Sequence, residues 1–407
     1  MKGNIRSAFR GLVRILQGAL WVAVLQCLAA ATASAQGSAE PIKLGLITSL
    51  TGPASVSGFN GSAAVKLAVK EINASGGVLG RQLRVVEADD RSDPTAAVSE
   101  VRRLVQSEKV DFIIGPAISQ HALAISPLLT ESRIGSVSVV GSPALTPQAA
   151  PYHFGAYTGD IQVVAISDYI AAQGAKSVAI LNESGSLNRL QLEGFKREFP
   201  KRGIQIKGAQ EYAQGDSDVT PQLLSLRREN ADMFLLLPNS GIEAGNALKG
   251  MREIGWNPKV VGNAAVTSQP NVVLKITGPE GYNNVVGIQI KALTYCSNDA
   301  VGSSDYAKLR ETVRRTDPDN FPKYSMPLFA MIYDSVYAFK AGVEGARKLD
   351  GPSFASWMEQ NGNKLRLVTG PLSPSASYHF LFGPSALTLV EHPESTRSDG
   401  LNKRSGC

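Results

Sequence analysis

The chain has 407 residues, of which 43% are hydrophobic and 19% charged, and its formal net charge is +6 at pH 7. This length is long for a single hydrophobic core and predicts two domains. The first 35 residues contain four basic side chains and no acid, so the rest of the chain carries only +2. So small a net charge argues against nucleic acid as a partner.

The first 35 residues have the layout of a secretion signal. A basic segment ends at Arg14, an apolar run covers residues 15–31, and Ala33-Ser34-Ala35 is a small-x-small cleavage site. The run is short for a membrane span, and an uncleaved anchor is the alternative. Cys27 lacks the preceding small residues of a lipidation site. We therefore predict export to the periplasm with cleavage after Ala35.

Residues 42–140 alternate between strand and helix patterns. Asp93-Pro94 predicts a capped helix start, residues 50–59 are predicted as a loop, and Asp89-Asp90 are interpreted as turn and cap residues rather than a cation site. This alternation is typical of a parallel, doubly wound sheet. The predicted strands are residues 42–49, 83–88, 112–114 and 136–140.

The alternation resumes after a Pro-rich passage at residues 143–151 and predicts a second domain of the same class. Beyond residue 287, helices begin near Ser303, Met326 and Ser353 with only short strands between them. Such helices need a sheet to cover, so we expect the chain to return to the first domain. Several crossing strands would make a hinge between two lobes. The predicted segments are lobe 1 (36–156 and 288–364), lobe 2 (157–287 and 365–391) and a polar tail (392–407).

The segment DFIIGPAISQ, residues 111–120, combines a buried strand, a Gly-Pro break and a serine at a helix start. Free backbone N–H groups and a positive helix dipole favour an anion at such a place. The loop follows the carboxyl end of a strand, where ligands of open α/β sheets bind. Ser119 is therefore predicted either to hold a ligand carboxylate or only to cap its own helix.

The exported part of the chain contains two cysteines, Cys296 and Cys407. A disulfide between them is possible, but a sequence cannot place two cysteines within bonding distance. Cys407 ends the polar tail, which we expect to be disordered, and we assign the pair no chemistry.

The chain shows no pattern of catalytic chemistry. Its four histidines are scattered, and no HExxH, CxxC, Walker loop or GxSxG elbow occurs. His121 follows Ser119 by two residues; we interpret it as a solvated surface histidine, with a ligand-facing role as the alternative. We predict no enzyme, no cofactor and no metal site.

Six segments, taken together, resemble the periplasmic substrate-binding proteins of branched-chain amino acid ABC importers. The resemblance extends in the family's order over the whole exported chain. It implies the type I periplasmic-binding fold, in which two α/β lobes close on a solute. The segments are residues 42–53 (IKLGLITSLTGP), 68–94, 112–119 (FIIGPAIS), 143–146 (PALT), 333–339 (YDSVYAF) and 370–391.

The resemblance also implies a carboxylate site. In the family, the serine of the GPxxS segment and the backbone before PALT hold the ligand carboxylate. Carried over, these positions are Ser119, Ala117, Ile118, Val139, Gly141 and Ser142.

This sequence departs from the family pattern elsewhere. Amino-acid binders of the family usually carry an acid in the second lobe that pairs with the ligand ammonium, and the matching residue here is Ala264. A buried ammonium without a partner is strongly disfavoured. Gly141 replaces a common threonine, and pocket tyrosines are replaced by Ser57, Leu187 and either Asn239 or Ser240.

These departures predict a hydrophobic or aromatic carboxylate as ligand, with Phe59, Tyr157 and Tyr333 as further walls. The alternative ligands are leucine, isoleucine, valine or related amino acids. The predicted protein is a periplasmic monomer that presents its closed form to the permease subunits of an ABC importer. A ligand-sensing subunit of a signalling receptor is the rival function, because the same fold serves in such receptors.

Overall fold

The computed structural model describes residues 40–407, apart from Pro53 and Gln214, so the predicted signal segment lies outside the described residues. The first lobe is built on a five-stranded parallel sheet of order β2-β1-β3-β4-β5. Its strands and the helices between them are β1 (Ile42–Thr48), α1 (Ser55–Ala74), β2 (Leu83–Asp89), α2 (Pro94–Gln106), β3 (Phe112–Ile114), α3 (Ser119–Glu131), β4 (Ser136–Val137) and β5 (His153–Phe154).

The second lobe is built on a six-stranded sheet of order β14-β10-β9-β8-β6-β7, parallel except for β14. The elements of this part of the chain are α4 (Gly159–Ala172), β6 (Ser177–Glu183), α5 (Ser186–Glu198), β7 (Gln205–Tyr212), α6 (Thr220–Arg228), β8 (Met233–Leu237), α7 (Gly241–Glu253), β9 (Val260–Gly262), α8 (Ala264–Ser268), α9 (Pro270–Thr277) and β10 (Val285–Ile290).

The chain then returns to the first sheet before it crosses again to the second. Phe339 of the next long helix and Phe354 both pack on Phe112 of β3, with ring centroids 4.6 and 4.8 Å from it. The remaining elements are β11 (Thr294–Tyr295), α10 (Asp305–Thr316), α11 (Met326–Ala346), α12 (Gly351–Asn361), β12 (Arg366–Leu367), β13 (Gly370–Pro371), β14 (Leu387–Glu391) and β15 (Asn402–Lys403).

Helices cover both faces of each sheet. Successive residues of β6 show this, because Val178 and Ile180 pack against α4 and α5 while Ala179 and Leu181 face the cluster under α6, α7 and α9. Strands buried on both faces read as continuous apolar runs rather than as alternating patterns. The predicted fold class, two doubly wound α/β lobes, is confirmed. No helix in the described part of the chain is both long and apolar enough to cross a membrane.

The loop predicted over residues 50–59 is shorter than expected, because α1 already begins at Ser55. Gly58 permits this, since a Cβ there would lie 1.9 Å from the Ser49 carbonyl oxygen. The first turn of α1 therefore packs directly against the end of β1. Ser57 and Phe59 consequently lie on a helix rather than on a loop.

The C-terminal segment, residues 392–407, is folded, so the prediction that it is disordered was wrong. Its strand β15 pairs in parallel with β11, and Leu401 is 2% exposed. Cys407 forms a disulfide with Cys296, with the two Cα atoms 5.4 Å apart. The two cysteines are 111 residues apart in the sequence, which is why no local pattern indicated that they pair.

Candidate ligand-binding cleft

Helix α3 begins at Ser119, beyond the carboxyl end of β3. The residue in the N-cap position is Ile118, and no side chain caps this helix. The interpretation of Ser119 as a helix cap is therefore wrong. A serine at the first helical position, with its hydroxyl unused by its own helix, is free to contact a ligand beside the open N–H groups.

Ser119 lines a cavity of about 550 Å³, which we call the serine chamber. Both lobes contribute to its wall, since α3 and the loop after β4 come from the first lobe and α4 and α5 from the second. Five residues predicted from the sequence meet here. They are Ser119, Val139, Gly141, Ser142 and Tyr157, and the other lining residues are Gln120, Leu123, Pro143, Ala144, Gly159, Gln162, Leu190 and Met331.

A second cavity of about 370 Å³ adjoins the serine chamber at Tyr157 and Met331, which line both. We call it the arginine chamber after Arg310. Helix α10, the start of α11, helix α8 and the C-terminal segment enclose it. Its lining is largely apolar, with a few polar groups, as is common for small-molecule sites.

Gly141 packs against the backbone of the segment that joins the lobes. A Cβ at this position would lie 1.9 Å from the carbonyl oxygen of Tyr157. The resemblance placed Gly141 in the carboxylate site, where it replaces a common threonine. The structure supplies a reason for the glycine, because a Cβ there would collide with the Tyr157 backbone. Burial of the neighbouring Tyr157 raises the pKa of its hydroxyl. Tyr157 is thus a neutral hydrogen-bonding group between the two chambers.

Ala264 occupies the position predicted for the missing acid, and it lines the arginine chamber. Its N–H donates to Gln162 Oε1 at 2.9 Å, which joins the start of α8 to α4. Asn263 caps α8 by accepting from the Ala265 N–H at 3.1 Å. The second lobe thus presents the Ala264 methyl group to the arginine chamber and the Gln162 amide to the serine chamber, and neither group is a carboxylate.

In the described part of the chain, the residues that line the two chambers carry positive charge and no negative charge. None of the described residues that line the two chambers is Asp or Glu, and the only charged one among them is Arg310. Together with the start of α3, this side chain makes the cleft favourable for an anion.

Other predicted site residues lie outside the two chambers. Ala117 borders a void of only about 10 Å³, and Ile118 is the half-buried residue before α3. Ser57 is half-buried on α1. Asn239 is exposed, and its N–H donates to Glu243 Oε2 at 2.8 Å. The side chain of Leu187 is outside the described part of the structure.

The three aromatic walls have different places. Tyr157 lines both chambers. Phe59 is 37% exposed and lines neither chamber, but its ring stacks on Tyr324 of the arginine chamber, with ring centroids 4.9 Å apart. Tyr333 is buried between α11 and α1, where its hydroxyl donates to Glu71. Tyr333 is a packing residue and not a cleft wall.

His121 is neither a surface nor a cleft residue, which corrects both interpretations of it. It is 2% exposed, and its Nδ1 lies 2.9 Å from Oδ2 of the fully buried Asp90. Asp90 also accepts from Ser49 Oγ at 2.5 Å and from the Ser92 N–H at 2.9 Å. The carboxylate therefore holds the ends of β1 and β2 against the first turn of α3.

Sequence reasoning missed three important lining residues. Gln162 is a polar residue among apolar ones on α4, which was the one available signal. Met331 lies within an apolar helix, where its pattern does not differ from that of a core residue. Arg310 lies on a strongly polar helix with other arginines, so nothing local distinguished it.

Comparison with known proteins identifies the family. Residues 41–394 match the family model described as periplasmic binding protein, and the chain belongs to this family. The Leu/Ile/Val-binding protein BraC3 of Rhizobium johnstonii is 23% identical over 349 residues, which cover 85% of this chain and 90% of that protein. The family consists of non-enzymatic solute-binding proteins, as expected for this chain.

Two solved structures have the same fold. The branched-chain amino acid substrate-binding protein LivJ of Streptococcus pneumoniae, in complex with isoleucine, superposes with a TM-score of 0.69 at 20% identity, covering 89% of this chain and 97% of LivJ. A solute-binding protein of an ABC transporter of Rhodopseudomonas palustris, in complex with 4-hydroxybenzoate, gives 0.70 at 20% identity, covering 89% and 95%. Proteins of this fold thus include both amino-acid and aromatic-acid complexes.

Proposed function

We propose that this protein binds a small hydrophobic or aromatic carboxylate between its lobes and delivers it, from the periplasm, to the permease of an ABC importer. One observation carries the proposal: no described residue that lines the two chambers is an acid, whereas an arginine and an open helix start both lie there. A buried ammonium group is strongly disfavoured without an anionic partner. A ligand that carries a carboxylate and no ammonium group does not need such a partner.

The proposed carboxylate subsite is the start of α3 and the loop after β4. Ser119 would donate its hydroxyl, and the first N–H groups of α3 would donate from the backbone. Ser142 and Gly141 would complete the subsite from the opposite loop, where both line the serine chamber. Closure of the second lobe would add Gln162 and Leu190 as further contacts.

The energies are compatible with micromolar binding. Burying an aromatic body of about 150 Å² at about 25 cal/mol per Å² contributes roughly 4 kcal/mol. A carboxylate at a helix start adds about 1 to 2 kcal/mol. A micromolar complex needs about 8 kcal/mol, and polar contacts such as Tyr157 would supply the remainder.

Binding of leucine, isoleucine or valine is the second candidate, and the names of the relatives support it. Under this hypothesis the ammonium must be held by neutral acceptors such as Gln162 or the Tyr157 hydroxyl. The protein would then bind amino acids more weakly than relatives that carry an acid at the Ala264 position.

The test is a thermal-shift and calorimetry comparison on mature protein beginning at Gln36. The ligands are benzoate and 4-hydroxybenzoate against leucine, isoleucine, valine and phenylalanine. A ligand that binds only the folded state raises the melting temperature. Stabilisation by the aromatic acids alone would support the proposal, and stabilisation by the amino acids alone would overturn its ligand class.

Ser119→Ala tests the subsite itself. We expect this variant to lose roughly 1 to 3 kcal/mol of binding free energy, since the ligand carboxylate loses a hydrogen bond. Ser99→Ala, on the exposed side of α2, is the matched control and should bind normally. Equal affinity of the two variants would remove Ser119 from the site.

A further inference from the structure

Arg310 and Arg315 are the two cations of α10 that form no ion pair in the described part of the chain, and of these only Arg310 lines the arginine chamber. On α10, Lys308 pairs with Asp305 at 2.7 Å and Arg314 with Glu311 at 2.6 Å. Arg310 forms no ion pair with any residue in the described part of the chain. Its Nη1 donates to the Ser398 carbonyl oxygen at 3.2 Å, and its guanidinium lies 5.1 Å from the centroid of the Phe321 ring.

Tyr306 lies one helical turn before Arg310, on the same face of α10, and lines the same chamber. The residue is 2% exposed, yet its hydroxyl makes no hydrogen bond with the residues that the structure describes. Burial raises the pKa of this hydroxyl, and the nearby Arg310 charge opposes that shift. This hydroxyl is not one of the buried side-chain atoms that lack a partner, so it is open to the chamber and can donate to a ligand there.

The two side-chain amides of the chamber are already hydrogen-bonded within the protein. Gln289 Nε2 donates to Asn402 Oδ1 at 3.2 Å, and Asn402 Nδ2 donates to the Pro393 carbonyl oxygen at 3.1 Å. These bonds fix the C-terminal segment as a wall. Arg310 also borders an outer cavity with Asp399, but that carboxylate is paired with Arg397 at 2.7 Å. Among the side chains of α10, Arg310 and Tyr306 are therefore the donors that can meet a ligand in this chamber.

We propose that the arginine chamber receives a second carboxylate of the ligand, so that the preferred solute is an elongated dicarboxylate. One carboxylate would lie at the start of α3, and the other would accept from Arg310 and Tyr306. An apolar body would pass Met331 and Tyr157, where the chambers adjoin. A guanidinium matches a carboxylate with two parallel hydrogen bonds. This inference rests on the proposed function and narrows its ligand class.

The experiment is calorimetry on the mature chain with matched pairs of probes, octanoate against octanedioate and benzoate against terephthalate. We expect the better dicarboxylate to bind at least about tenfold more tightly than its monocarboxylate. One additional hydrogen bond between charged groups contributes enough free energy for this gain in affinity. Arg310→Gln should abolish this difference, and an unchanged circular dichroism spectrum shows that the variant is folded. Tyr306→Phe should reduce the difference a few-fold.

Arg315→Gln is the matched control, because Arg315 lies exposed on the same helix and does not line the arginine chamber. It should keep the full preference. Monocarboxylates that bind through Ser119, without any preference for dicarboxylates, would overturn this inference and leave the proposed function standing. A preference that survives Arg310→Gln would also overturn it. Failure of all four probes to bind would contradict both proposals.

Discussion

His121 Nδ1 lies 2.9 Å from Asp90 Oδ2, and both side chains are buried where β1, β2 and α3 meet. The two residues are far apart in sequence, and the pair joins the end of one strand to the first turn of the helix that begins with Ser119. The position of the proposed carboxylate subsite therefore depends on a contact beneath it that the ligand does not touch.

We expect His121→Ala to destabilise the fold by roughly 1 to 3 kcal/mol, because Asp90 loses a partner inside the protein. Urea unfolding of the free protein measures this change. His392→Ala is the control, since His392 is exposed and its loss should cost less than about 0.5 kcal/mol. Equal stability of the two variants would contradict a supporting role for His121.

Asp334 predicts a pH dependence of stability. It is 1% exposed on α11, and it accepts from the N–H groups of Thr369 at 2.7 Å and Val368 at 3.2 Å. Burial outweighs these bonds and raises the pKa of its carboxyl to about 7 from an ordinary 3.8. The folded protein thus keeps a proton that the unfolded chain has released above about pH 4.

The contribution of Asp334 to stability is complete below pH 4 and is lost as the pH rises to 7. A pKa shift of this size corresponds to roughly 4 kcal/mol in the free energy of unfolding. Asp334→Asn cannot titrate, so the stability of the wild type relative to this variant should fall by about that amount between pH 4 and pH 7. Urea unfolding at several pH values measures the difference. A difference that does not change with pH would refute the assignment.

Gly141→Ala tests the contact between the loop after β4 and Tyr157. The added Cβ would meet the Tyr157 carbonyl oxygen at 1.9 Å, so the loop must move. We expect a loss of about 1 to 3 kcal/mol in stability from the overpacking, together with weaker carboxylate binding. Thermal unfolding with and without 4-hydroxybenzoate measures both effects. Unchanged binding would mean that the loop can move without disturbing the subsite.

The disulfide is expected to stabilise the C-terminal segment. Replacing both Cys296 and Cys407 by serine should lower the unfolding free energy by roughly 2 to 5 kcal/mol, because the bond closes a long loop. Calorimetry of the purified proteins measures this loss. A reducing agent should lower the melting temperature of the wild type and leave that of the double variant unchanged. Equal sensitivity of both proteins would show that the bond does not form.

The sequence determined the architecture to a large extent. Strand and helix periodicities are local properties, so the two α/β lobes could be predicted without coordinates. The place of the proposed ligand subsite was predicted by the same logic, since loops at the carboxyl ends of parallel strands share one edge of a sheet. Ser119 was predicted in this way, whereas Ser142 came from the family resemblance and Tyr157 was predicted as an aromatic wall. All three line one chamber.

The tertiary structure decided which distant side chains meet. The pairing of Gln162 with Ala264, of His121 with Asp90 and of Cys296 with Cys407 joins residues between 31 and 111 positions apart. No periodicity encodes such contacts, because each depends on how separate elements pack. For the same reason Arg310 was indistinguishable in sequence from a solvated arginine, and only the fold places it, beside an unpaired tyrosine, at the wall of the cleft.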